Sequence, residues 1–253
     1  MTKIDVDPDH HEGTKEQAED ELTRLRERIA TLQERLYAER KHALLVVLQA
    51  MDTGGKDGAI EKVFGGINPM GIVVTSYKAP TAEELAHDFL WRLHARTPAL
   101  GHIGIWNRSH YEDVLVVRVH QLVPKAVWED RYQRINDFEA NLAAAGTTIL
   151  KFFLHISKAE QKQRLEARLA DPTKQWKFNV GDLAERERWD DYQAAYADAI
   201  RHCSTKKAPW TVVPANRKWY RNLVVARAVV RALEQINPQF PPVEGLTGVT
   251  VPD

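Results

Sequence analysis

The chain has 253 residues, room for one large α/β domain, and its 35 basic and 35 acidic side chains cancel to a formal net charge of zero. That balance argues against general nucleic-acid binding, and no apolar run is long enough to span a membrane. The lone Cys203 rules out an internal disulfide framework and a thiolate zinc cluster, and with no secretory pattern a cytoplasmic protein is expected.

Residues 1–40 read as a polar arm followed by an amphipathic helix. The arm carries His10 and His11, a pair able to hold a metal, although two histidines on a polar tail rarely do. From Thr14 to Arg40 the residues Leu22, Leu25, Ile29, Leu32 and Leu36 recur in steps of three and four, one helical stripe among charges. Such a stripe packs on its own domain or on a neighbouring subunit, or else pairs with a partner helix; a homo-oligomer is expected.

Leu44 to Leu48 is a short apolar run without a 3.6-residue period, so a strand buried on both faces is predicted. It leads into Ala50-Met51-Asp52-Thr53-Gly54-Gly55-Lys56-Asp57-Gly58. Adjacent glycines let successive N–H groups turn inward and Lys56 adds an ammonium, so Thr53, Gly54, Gly55, Lys56, Asp57 and Gly58 are expected to bind phosphate. Against the P-loop pattern the match is partial, with Ala50 for the first glycine and Asp57 for the hydroxyl residue. A plain strand-to-helix turn with an incidental lysine is the alternative. Asp52 and Asp57 on one short loop would repel a phosphate unless a divalent cation lay between, so a metal is expected there.

A short helix over 59–64, a strand over 71–77, a capping-box helix over 81–96 with Leu85, Phe89 and Leu93 on one face, and a strand over 101–106 follow. The last ends at Asn107-Arg108-Ser109-His110-Tyr111-Glu112-Asp113. Ligands of open α/β sheets bind beyond the carboxyl ends of strands, so this motif and the first can share a crevice. There Arg108 can fork onto phosphate oxygens, and Glu112 or Asp113 can complete a magnesium site. His110 is a weaker candidate for proton transfer, and a polar turn capping the next helix is the alternative.

A helix over 125–145 and a strand over 148–156 come next. Ser157 starts a helix carrying Arg164 and Arg168 one turn apart, which Asp171-Pro172 ends. Between 161 and 180 there are five basic and two acidic side chains, so a cationic lid is predicted at about 160–190, with Lys174 and Lys177 on phosphate and Trp176 offering a face to a base. A solvated helix face is the alternative. A helix over 182–202 buries Trp189, Tyr192, Tyr196 and Ile200. The last strand covers 210–214, Arg217, Lys218 and Arg221 extend an anion track or simply start a helix, and that helix runs to about Ile236 before a tail over 241–253.

With these motifs in this order, the stretch from about Ala43 to Phe240 resembles the polyphosphate kinase 2 family. Residues 50–58 look like its Walker A region, 107–113 hold its Walker B position, and 168–177 look like its lid. The resemblance implies an α/β fold: a three-layer α/β/α sandwich on a mostly parallel sheet, a P-loop kinase of thymidylate-kinase type with a helical lid, occupying 41–240. It also implies Mg²⁺, with Mn²⁺ in its place, and reversible transfer between inorganic polyphosphate and AMP, ADP or ATP, with GMP and GDP as further acceptors. Asp52 would hold metal with Asp57, Glu112 and Asp113, while Lys56 and Arg108 would bind the phosphates in flight. Arg168 would reach in from the lid, and nucleotide contacts are expected at Asn107, Arg168, Trp176 and Lys177. Asn107 departs from the aspartate of many members and is similar to the branch acting on both nucleoside mono- and diphosphates. Two rivals stand beside this reading: an ATP-dependent small-metabolite kinase and a non-catalytic nucleotide sensor.

Overall fold

The computed structural model describes residues 14–245 and 249–251, so the His10–His11 pair lies outside the described residues. Its strands are β1 (Ala43–Gln49), β2 (Ile72–Ser76), β3 (Ile103–Asn107), β4 (Thr147–His155) and β5 (Trp210–Pro214), all parallel in the order β2-β3-β1-β4-β5. The flanking helices are α1 (Lys15–Glu39), α2 (Lys56–Phe64), α3 (Ala82–Leu85), α4 (Trp91–His94), α5 (Val116–Val119), α6 (Lys125–Ala144), α7 (Lys158–Ala170), α8 (Gly181–Glu187), α9 (Trp189–Cys203) and α10 (Lys218–Ile236).

Every residue of β1 is buried, because the strand is central and its run Leu44–Leu48 has apolar neighbours on both faces. Leu44 lies opposite Ile103 of β3 on one side and Thr148 of β4 on the other. From β1 the chain crosses to the edge strand β2, returns to β3, and then continues to β4 on the opposite side of β1. The strand order therefore reverses at β1, and the crevice beyond its carboxyl end is the ligand position typical of such sheets.

The stripe of α1 buries Ile29, Leu32 and Leu36 in the same core as β1, and α1 lies along α10 with ion pairs Arg28–Glu234 and Arg227–Glu21 at the rim. Two expected helices are each broken. Over 81–96 the Thr81 capping box forms, but the Asp88 carboxylate accepts the Leu90 N–H at 3.0 Å and closes a turn, leaving α3 and α4 as separate single turns with Leu85 exposed. Over 182–202 Arg188 leaves helical geometry (φ −87°, ψ 22°) and its guanidinium donates to the Val119 carbonyl, which separates α8 from α9.

Candidate functional site

The loop from Ala50 to Gly55 turns β1 into α2 within six residues. Thr53 (φ 62°) and Gly55 (φ 96°) are left-handed, and the Gly54 N–H donates to the Met51 carbonyl. A Cβ at Gly54 would stand 2.5 Å from the Ala50 Cβ, and one at Gly55 would meet the Arg221 guanidinium on a backbone already in the left-handed region, so both positions favour glycine. No side chain caps α2, which leaves its first N–H groups directed at the loop. Lys56, the first residue of α2, is buried and donates to the Ala50 carbonyl at 3.2 Å. Burial, and next the Arg108 charge, pulls its ammonium below the usual lysine range, while Asp52 and Glu112 work the other way.

The second motif reaches the same place because β3 pairs with β1. The Arg108 N–H donates to the Leu48 carbonyl, and Arg108 is itself left-handed (φ 62°), which swings its side chain over the first loop. Its Nη2 lies 3.1 Å from Oδ1 of Asp52, and Nδ2 of Asn107 donates to Oδ1 of Asp57 at 2.7 Å. Burial opposes the Arg108 charge, but Glu112 and Asp52 outweigh it and hold the guanidinium charged above its ordinary range. Two turns 56 residues apart thus form one mouth.

That mouth opens into a cleft of about 260 Å³ lined by Asp52, Arg108, Glu112, Asp182 and Glu185, with Tyr192 and Tyr196 as its aromatic wall. Four carboxylates and one guanidinium line this cleft, with Glu185 held by His120 and Tyr192, and Asp182 is raised above its usual range by burial and then by Asp52. Among the described residues no group of three or more His, Cys, Asp or Glu side chains has metal-holding geometry. A small hard divalent cation suits this site nonetheless, since it takes one or two carboxylates and fills its shell from water and substrate phosphates.

Two of the four expected metal carboxylates, Asp57 and Asp113, are not among the side chains that line the cleft. Asp57 is exposed and engaged by Asn107. Asp113 follows Glu112 in the tight turn His110–Val114, where neighbouring side chains diverge by about a third of a turn. It faces α6, where Arg131 binds both its carboxylate and its carbonyl at 3.0 Å, and burial raises it to about 6. His110 is no proton carrier for the cleft either: it is fully buried, burial pulls it below the usual histidine range, and it is bonded through Nε2 to Glu139.

Of the predicted lid, Asn179, Gly181, Asp182 and Glu185 line the cleft, whereas Arg168, Lys174, Trp176 and Lys177 stand outside its lining. Arg168 donates to the Lys177 carbonyl at 3.5 Å and its charge also acts on Asp182, Lys174 pairs with Asp171, and Lys177 lies over the exposed Trp176 ring. Arg164, one turn before Arg168, instead turns inward to donate to the Thr53 carbonyl at 3.0 Å and to the Ala215 and Asn216 carbonyls. Arg221 is buried against Gly55, and burial together with Arg164 lowers it to about 10. Lys218 is lowered by burial and then by Arg164 and Arg221. Gln161, fully buried, donates to the Asp52 carbonyl. Sequence reasoning missed Gln161 and preferred Arg168 to Arg164. Its one signal was that two arginines four residues apart share a face, which does not say which of them turns inward.

Comparison with known proteins gives a consistent result. The model of the family described as polyphosphate kinase 2 matches residues 12–241. An AMP/ADP-polyphosphate phosphotransferase of Meiothermus ruber is 57% identical over 238 residues, 93% of this chain and 89% of that protein. An ADP-polyphosphate phosphotransferase of Rhodopseudomonas palustris is 46% identical over 227 residues, 85% of this chain and 78% of that protein. Among solved structures, the crystal structure of polyphosphate kinase 2 from Arthrobacter aurescens TC1 superposes with a TM-score of 0.94 at 46% identity, covering 97% of this chain and 88% of that one.

Proposed function

Since this chain belongs to the polyphosphate kinase 2 family, we propose that it transfers phosphoryl groups from inorganic polyphosphate to AMP and ADP. The observation that carries the reading is the meeting of Lys56, Arg108 and the uncapped start of α2 at one acid-lined mouth.

Phosphoryl transfer asks little covalent chemistry of a protein; it asks for in-line positioning and for charge around the equatorial oxygens. Lys56 lies beneath the loop and Arg108 beside it, so the transferring group sits between an ammonium and a guanidinium. Asp52 orients Arg108 through their contact. Asp52 and Glu112 would hold magnesium or manganese, which when bound screens the phosphates from the carboxylates around them. Arg164 and Arg221 lie beside Gly55, burial and then their like charges depress Arg221 and Lys218, and the donor chain is placed across these three cations. The segment 171–180, carrying Lys174, Trp176 and Lys177, closes over the substrates and brings those side chains and Arg168 to the phosphates and the base.

Incubation with polyphosphate and either AMP or ADP, followed by chromatography, tests this reading. ADP and then ATP are expected from AMP, and ATP from ADP, with product lost when a chelator removes divalent cations. Turnover of ATP that requires an added small acceptor and ignores polyphosphate would favour a metabolite kinase instead, and binding without turnover a sensor.

A further inference from the structure

Gln161 and Arg186 have no part in the chemistry above, yet together they join the phosphate loop to the far side of the 171–180 segment. Gln161 lies on α7, which leads into that segment, and Arg186 on α8, which returns from it. The Gln161 side chain is 1% exposed and its amide is used at both ends: Nε2 donates to the Asp52 carbonyl at 3.1 Å, and Oε1 accepts from Nη1 of Arg186 at 2.8 Å. The same Arg186 nitrogen also donates to the Lys158 carbonyl at 2.7 Å, which holds the two stems together.

An amide so placed has a sense. Rotated by half a turn, it would set its NH₂ against the Arg186 guanidinium and its oxygen against the Asp52 carbonyl, opposing donor to donor and acceptor to acceptor. Arg186 therefore fixes which end of Gln161 meets the loop. The next carbonyl, that of Thr53, is taken by Arg164 of the same helix at 3.0 Å. These two carbonyls flank a β-branched residue in the left-handed region, a conformation that persists only when its surroundings over-determine it. Asp52 in turn carries Arg108.

We infer that Gln161 is a positioning residue that couples the 171–180 segment to the phosphate loop: Arg186, arriving on the return stem, orients the Gln161 amide, and the amide sets the Asp52 backbone and with it the Asp52–Arg108 pair. The inference rests on the phosphotransfer reading for its kinetic consequence but not for its structural one.

The experiment uses the full chain and the variants Gln161→Met, Arg186→Met, Arg186→Lys and the double methionine variant. With polyphosphate and ADP, Gln161→Met is expected to lose roughly 10- to 100-fold in kcat, as misplaced reacting groups do, with KM for either substrate within about twofold of wild type. Arg186→Met should lose a similar factor, the double variant no more than the worse single one, and Arg186→Lys should recover most of the loss. Amide hydrogen exchange at residues 52–56 is measured in the same proteins without substrate and should quicken in both methionine variants. Wild-type kcat in Gln161→Met, losses that multiply in the double variant, or unchanged exchange would overturn the inference. An inactive wild type would overturn the phosphotransfer reading alone, because the exchange result still decides the coupling.

Discussion

Replacing Arg108 by alanine should lower turnover of polyphosphate and ADP by roughly 10²–10³-fold, the loss typical when one positioned donor to a developing oxyanion is removed. The protein should remain folded. The Arg108 side chain is 41% exposed and contributes to the site through its contact with Asp52, and alanine inherits the same left-handed backbone, so the strain at φ 62° is unchanged. Lys56→Ala should cost a similar factor. Its ammonium is buried at the mouth, where Asp52 and Glu112 favour its charge against burial and the neighbouring Arg108. Initial rates of ATP formation, with thermal unfolding as the control, read both effects. If either variant turns over within tenfold of wild type, that side chain does not stabilise the transferring group.

The largest stability effect is expected far from solvent. Lys151 of β4 is buried with all three ammonium protons placed, on the Tyr111 hydroxyl at 2.8 Å, on Oε2 of Glu139 at 2.6 Å and on the Cys203 carbonyl at 2.7 Å. Oε1 of Glu139 accepts from the Tyr111 hydroxyl at 2.8 Å and from Nε2 of His110 at 3.1 Å. Lys151→Met fills the space but leaves Glu139 as an uncompensated buried carboxylate, for which a cost of about 3–5 kcal/mol is usual. For a chain of this length that is a fall in Tm of roughly 6–20 °C. Glu139→Gln combined with Lys151→Met removes both charges and should recover much of the loss. A double variant as unstable as the single one would mean that packing, not charge, sets the cost. The turn carrying His110 and Tyr111 begins two residues after Arg108, so this charge pair also anchors the motif that supplies the cleft.

Much of the architecture was legible because its signals are local. Leu44–Leu48 is a short run without helical period that favours a doubly covered strand, and both motifs trail strands, which in a parallel sheet places them at one end. The order β2-β3-β1-β4-β5 then sets those two strands side by side, and the register carries Arg108 to Asp52. What escaped the sequence depends on direction rather than position. Arg164 and Arg168 share a face, but only packing against the Ala215 and Asn216 carbonyls decides that Arg164 is the one fixed inward. Glu112 and Asp113 are neighbours whose side chains part because the turn beneath them is tight, and Arg131, eighteen residues on, claims the second. The break at Asp88 depends on a side-chain-to-backbone bond that a helix pattern cannot anticipate. Gln161 gave no sign at all, since its role needs Asp52 on one side and Arg186 on the other.

Phosphorus NMR of the wild-type chain with polyphosphate, ADP and magnesium tests the shared mouth most directly, because it follows donor and acceptor in one sample. Each phosphate lost from the polyphosphate signal should reappear as the γ-phosphate of ATP, with no inorganic phosphate beyond the control without protein. Loss of polyphosphate to inorganic phosphate with ADP unchanged would contradict the proposal, as it would mean that water, not the nucleotide, meets the phosphoryl group between Lys56 and Arg108.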